Sequence, residues 1–148
     1  MKHYRICVAV FLVVSLTVTL GCGPKMQRVR GKVTYSDTGE PLDAGFVCFA
    51  SGATFARGTI KKDGTYTMGS ATETDGLPLG TYQVYIGGAE RSIGKRRPTD
   101  DDEQYVPLIA HKHTTPETSG LTFVVERSSP KEFNITVDRA PASPSPRK

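Results

Sequence analysis

The strongest constraint on this chain is an alternation of apolar and polar side chains with a period of two. Tyr82, Val84 and Ile86 fall on one parity of a run whose other parity is Thr81, Gln83 and Tyr85. That spacing puts the first set on one face of a β-strand, whereas a helix would need apolar residues three and four apart. Val29, Gly31, Val33 and Tyr35 repeat the pattern against Arg28, Arg30, Lys32 and Thr34. Leu121, Phe123 and Val125 do so again, and so do Phe133, Ile135 and Val137.

Weaker strands and turns fill the intervals. Ala44 to Ala50 and Phe55 to Ile60 are read as strands, the second weakened by Gly58, and Thr65 to Met68 returns after a tight hairpin at Asp63-Gly64. Residues 87–119 are irregular: Gly87-Gly88 ends a strand, a basic run Lys95-Arg96-Arg97 faces an acidic run Asp100 to Glu103, and prolines recur. Within them Gln104 to Ala110 is expected to pair at a sheet edge, where Pro107 is tolerable. No segment of the mature chain carries a helical pattern. About seven short strands broken by turns predict an all-β fold, an antiparallel two-sheet sandwich. Its expected core is Val29, Val33, Val47, Phe49, Ile60, Tyr66, Tyr82, Val84, Ile86, Leu121, Phe123, Val125, Phe133, Ile135 and Val137.

Ahead of the strands lies a segment of another kind. Lys2 and Arg5 precede an uncharged run from Ile6 to Leu20, which ends at Gly21-Cys22-Gly23-Pro24. A cationic start and a short apolar run make an export signal, and the run is short of the roughly 20 residues a spanning helix needs. This junction resembles that of bacterial lipoprotein precursors. The resemblance implies a diacylglycerol on the Cys22 thiol, cleavage before it and acylation of the new amine. Thr19 and Leu20 depart from that family's preference for Leu three residues and a small residue two residues before the cysteine. Thr19 and Gly21 also suit an ordinary signal peptidase, which would release a soluble protein, and an uncleaved anchor is the third alternative. The expected organisation is a signal peptide at 1–21, a tether at 22–27, a sandwich at 28–138 and a disordered Pro/Ser-rich tail at 139–148.

Charge and cysteines fit an exported domain. The formal net charge is +4, with 19 basic and 15 acidic residues, and Lys2 and Arg5 leave with the signal. A chain so nearly balanced gives no reason to expect nucleic acid as a partner. Cys7 belongs to the signal, so lipidation of Cys22 leaves Cys48 alone, most simply as a small apolar side chain in a strand. Ordinary cleavage would leave a Cys22–Cys48 disulfide open.

The mature sequence is similar to carboxypeptidase regulatory-like domains. The similarity rests on Val29-Arg30-Gly31-Lys32-Val33, Gly39-Glu40-Pro41-Leu42, Gly45-Phe46-Val47, Asp63-Gly64-Thr65-Tyr66 and Leu79-Gly80-Thr81-Tyr82-Gln83-Val84. It implies a transthyretin-like sandwich and a non-catalytic role, as in small bacterial lipoproteins made of a signal and one such domain. Some transthyretin-like proteins hydrolyse a purine-breakdown product and resemble one another in a C-terminal Tyr-Arg-Gly-Ser. This chain ends Pro146-Arg147-Lys148 and keeps only His111 and His113 of the histidines such a site would use.

Other chemistry is weakly signalled. Asp100 to Glu103 lack the glycine-bearing loop of a calcium site and read as a solvated charge run. His111 and His113 share strand parity, as two metal ligands would, but no third ligand is apparent and Lys112 between them marks a basic edge. No glycine-flanked serine suggests a nucleophile elbow. Asn134-Ile135-Thr136 fits a glycosylation sequon, but reads as an outward Asn on the last strand.

The expected function is therefore a lipid-anchored cell-envelope protein, without enzyme activity, metal or cofactor, whose sandwich is an interaction or structural module. Its partners would be the membrane, through the lipid, and an envelope protein or polysaccharide. Tyr85, Tyr105, His111 and His113 are the candidate binding surface. A carbohydrate-binding module is the alternative, with Tyr85 and either Phe55 or Tyr105 stacking on a sugar. The absence of tryptophan speaks against it.

Overall fold

A computed structural model describes residues 25–141, apart from 53, 71, 73, 74, 96–102 and 129. The export segment and Cys22 thus lie outside the described residues, as do the acidic run Asp100–Asp102 and residues 142–148.

Eleven strands are described: β1 (Met26–Gln27), β2 (Arg30–Tyr35), β3 (Phe46–Ser51), β4 (Thr54–Thr59), β5 (Thr65–Thr67), β6 (Leu77–Pro78), β7 (Gly80–Gly87), β8 (Glu90–Lys95), β9 (Glu103–Pro107), β10 (Leu121–Val125) and β11 (Ile135–Val137). A four-stranded sheet in the order β10-β7-β3-β4 packs against a three-stranded sheet in the order β11-β2-β5. The protein is a two-sheet β-sandwich. The alternation explains the register: Val33 and Tyr35 on one sheet and Val47, Phe49, Tyr82, Val84 and Ile86 on the other are all buried. Phe49 sits at the centre, its ring centroid 5.9 Å from those of Tyr82 and Phe123 and 6.2 Å from that of Phe133. Of the expected core, only Leu121 and Phe133 stay partly exposed, packed against its rim. Leu42, Met68, Leu77 and Ile109 complete it.

The expectation of purely antiparallel sheets is corrected at one pair. β11 runs parallel to β2, with Ile135 opposite Val33 and Val137 opposite Tyr35. The chain leaves β10 in one sheet and enters the other beside β2, running in the same direction as β2. Just before β11 the Lys32 N–H donates to Asn134 Oδ1 at 2.9 Å, so this side chain stands in for a ladder carbonyl. Asn134 is exposed, as expected, but it also extends the β2 pairing.

The Asp63-Gly64 turn forms but does not close a hairpin between paired strands. Gly64 takes φ +80° and Asp63 Oδ1 accepts from the Thr65 N–H at 3.0 Å, while β4 continues the larger sheet and β5 joins the smaller. A turn expected to pair its flanks instead passes the chain between layers.

The irregular stretch holds three further corrections. β8 and β9 pair with one another as a separate two-stranded ribbon, so the 104–110 segment does not extend a sandwich edge. A 3₁₀ turn (His111–Thr114) and a one-turn helix α1 (Pro116–Ser119) follow, where no helix was expected. Pro116 starts the second turn with its preset φ, and Gly120 ends it in the left-handed region at φ +65°. Both ends of the domain also reach past their expected limits. Met26 and Gln27 of the supposed tether pair with Pro78 and Leu77. Arg139 and Ala140 of the supposed tail join the fold, through an Arg139–Asp37 ion pair at 2.9 Å and an Ala140 N–H to Leu108 carbonyl bond at 3.1 Å.

Candidate functional site

The four residues expected to form a binding surface do not converge. Tyr85 lies on the outer face of the larger sheet, opposite Cys48 of β3, which in turn faces Arg57 of β4. Tyr85 is half-buried rather than fully outward. Burial and the adjacent Cys48 both raise its phenol above the ordinary range. Cys48 itself is buried, and burial holds its thiol in the protonated form, as befits the small apolar role expected for it. Phe55 and Phe46 share this outer face, and the Arg57 guanidinium stands 5.1 Å from the Phe46 ring centroid.

Tyr105 belongs to the ribbon. Its side chain is exposed, and its hydroxyl donates to Glu103 Oε2 at 3.1 Å, which raises its phenol. Glu103 also accepts from Ser92 Oγ at 3.0 Å. The one described member of the acidic run is thus tied within its own ribbon.

The two histidines part company, because the 3₁₀ turn replaces the strand on which they would have shared a face. His111 is exposed on the rim of a cleft, whereas His113 is 7% exposed. His113 Nε2 accepts the backbone N–H of Asp138 at 3.1 Å, and Nδ1 is buried without a hydrogen-bond partner among the described residues. Asp138 lies beside it with its carboxylate 3.6 Å from Nε2, and it accepts from Ser36 Oγ and pairs with Lys112 Nζ, each at 2.5 Å. These bonds, that from Lys112 foremost, hold the Asp138 carboxyl down at about 2. Lys112 is therefore committed to an ion pair and is not a free basic edge. Among the described residues no cluster of three or more His, Cys, Asp or Glu could hold a metal ion.

The cleft beside His111 has a volume of about 670 Å³ and opens where β7 hands over to the ribbon. Gly88, Ala89, Pro107 and Ile109 make it largely apolar, and Glu90, His111 and Thr114 supply its polar groups. Its size falls in the range of small-molecule sites. The sequence pointed to this irregular stretch and to His111 for a partner but not to a cleft, whose walls also take Ala140 and Pro141 from beyond the last strand. A second feature hidden from sequence is the Arg139 network. Its guanidinium lies 3.7 Å from the Tyr35 ring centroid and reaches Asp37 at 2.9 Å and Glu40 at 2.6 Å. Among the described residues no helix is long and apolar enough to cross a membrane.

No family model and no curated protein matches the sequence. Among solved structures, the chain is similar to the major pilin subunit of Bacillus cereus, with a TM-score of 0.47 and 8% identity over 80% of this chain and 31% of the pilin. It is also similar to a DUF3823 family protein from Bacteroides ovatus, with a TM-score of 0.40 and 18% identity over 78% of this chain and 45% of that one. The chain spans less than half the length of either protein.

Proposed function

We propose that this is a lipid-anchored cell-envelope protein of the carboxypeptidase regulatory-like type, held at Cys22, whose sandwich works as a non-catalytic interaction module. The observation that carries the non-catalytic half is the commitment of four reactive or ionisable side chains, His113, Asp138, Arg139 and Cys48, to structure. His113 and Asp138 fasten the end of β11, Arg139 is spread over Tyr35, Asp37 and Glu40, and the Cys48 thiol is buried. Available to partners are the cleft beside His111 and the exposed ribbon, both in the connection between β7 and β10 on a stiff scaffold. The anchoring half rests on the leader and on Gly21-Cys22. Two acyl signals would suffice for stable attachment, since each buried CH₂ contributes about 0.8 kcal/mol and one chain alone is marginal. Intact mass of the protein recovered from membranes tests it. An acylated N-terminus at Cys22 is expected, and an unmodified start would move the domain to the soluble, secreted alternative.

One observation favours a second reading, carbohydrate binding. Phe55 and Tyr85 lie on the same outer sheet face, two strands apart, with Arg57 and Gln83 beside them to meet hydroxyl groups. Retention on an immobilised envelope polysaccharide that is lost in both Phe55→Ala and Tyr85→Ala would establish this reading, and retention by neither protein nor variants would end it.

A further inference from the structure

Four cations cluster where the sandwich begins. Arg28, Arg30 and Lys131, with Val29 and Thr67, line a cleft of about 510 Å³. Arg30 and Thr67 also line an adjoining cleft of about 440 Å³, whose wall adds Lys32 and a single acid, Glu132. The fold brings these charges together. Arg30 and Lys32 occupy the outward parity of β2, and the Arg30 N–H donates to the Lys131 carbonyl at 2.9 Å, drawing the turn after β10 against them. Glu132 accepts from Asn134 Nδ2 at 3.2 Å. Among the described residues none of the four cations forms an ion pair, although Arg91, Lys112 and Arg139 elsewhere on the surface each do. Four like charges gathered around a single acid repel one another, and an anion relieves that repulsion.

We propose that this basic cleft binds the headgroups of anionic phospholipids and so orients the sandwich on the membrane. The inference rests on attachment at Cys22. Arg28 is six residues from Cys22, a separation that a fully extended chain spans in about 20 Å. A membrane holding Cys22 therefore lies within reach of the cleft, and charge complementarity selects its anionic lipids. Each Arg or Lys held near such a surface strengthens binding about fivefold. Seated this way, the chain would turn its N-terminal end toward the lipid, with the cleft walls as its footing.

The test uses residues 23–148, which retain every described strand and lack the lipid site, so the anchor contributes nothing to the measurement. Co-sedimentation is compared for phosphatidylcholine vesicles and for vesicles containing about one-third phosphatidylglycerol, at low salt. With four cations and one acid, a net of three charges, partition onto the anionic vesicles should exceed that onto the neutral ones by about 100-fold, and should fall steeply in 0.5 M salt, where screening shortens to a few ångströms. Arg28→Gln with Lys131→Gln should lower anionic partition about 25-fold, while Arg28→Lys with Lys131→Arg should keep it. Equal partition onto both vesicle types, or an unchanged glutamine variant, would overturn the proposal. So would binding to soluble polygalacturonate without selectivity for anionic vesicles, which would assign the cleft to acidic polysaccharide. Intact mass of the membrane-derived protein reports on Cys22 separately, so failure of the anchor and failure of the cleft give different results.

Discussion

The strands of the sandwich and the stretch between β7 and β10 solve the same problem in opposite ways. The sandwich buries one face of nearly every strand, so its side chains alternate and its stability is shared across one core. The intervening stretch spends its backbone on a ribbon whose β8 residues are all exposed, then anchors itself at a few points, Ala89, Ile109 and His113. A rigid body and a projecting ribbon thus coexist in one chain. The contrast teaches that burial is nearly continuous along the sandwich strands and discontinuous along the connection, so substitutions should be graded in the first and all-or-little in the second.

The largest expected effect lies at the centre of the sandwich. Phe49→Ala should cost about 3–5 kcal/mol, because Phe49 is wholly buried and removing its ring strands three aromatic neighbours around a cavity. Most small domains have only about 5–15 kcal/mol in all. Thermal unfolding should fall by roughly 10 °C or more, or lose its cooperativity. A melting point unchanged within error would mean that the two sheets do not share a core. Close behind comes Gly31→Ala in β2. A Cβ there would stand 1.9 Å from the Phe133 carbonyl oxygen, so the parallel pairing with β11 must shift, at about 3 kcal/mol. Gly31 keeps an ordinary strand conformation, so crowding rather than backbone strain is what this variant measures.

These positions also show how much of the molecule was legible beforehand. Thirteen residues of the expected core, Val29 to Val137, are buried because a half-buried strand writes its orientation into its own sequence. The parallel partnership of β11 with β2 left no such mark. It is made by groups as far apart as Lys32 and Asn134, and nothing local to either states the direction of the other. The ribbon was missed for the complementary reason: with both faces in solvent, Glu90 to Lys95 have no cause to alternate. At the candidate site, the positions of His111 and His113 in an irregular stretch were legible, but the conformation was not. Two residues apart on a strand they would share a face, whereas the 3₁₀ turn sends one to the cleft rim and the other inside. Lys112 misled in the same way, since the carboxylate that pairs with it, Asp138, comes from beyond β11.

The anchoring points of the connection should respond where its exposed parts do not. His113→Leu fits an apolar side chain into a nearly closed site but removes the acceptor of the Asp138 N–H. The orphaned donor should cost about 1–3 kcal/mol, partly offset by loss of the partnerless Nδ1, so a net loss toward the low end of that range should be read from urea unfolding. If the variant is as stable as the parent, the end of β11 is not fastened through that ring. A smaller effect is expected from the neighbouring carboxylate. Its folded value of about 2 lies below the ordinary aspartate value of about 3.9, so the stability it contributes is present above pH 4 and is lost as pH falls toward 2. In Asp138→Asn that portion of the acid profile should flatten, while the neutral-pH end drops slightly. An unaltered slope between pH 4 and 2 would show that Ser36 and Lys112 do not hold the carboxylate in solution.

The smallest effect should come from the ribbon itself, and its smallness is what makes it useful. Ile93 is 60% exposed and Tyr105 57% exposed, so Ile93→Ser with Tyr105→Ala removes little buried surface. Tyr105 gives up a hydrogen bond to Glu103, but water replaces it on an exposed strand. Each substitution should therefore change stability by no more than about 0.5 kcal/mol, with the melting point nearly fixed. Exposed apolar side chains that the fold can lose at little cost are free to serve a partner instead. A large loss of stability would mean that the ribbon packs on the body and belongs to its core. Near-neutral stability combined with lost capture of an envelope component would separate recognition from folding at these two side chains, as the contrast between the two regions requires.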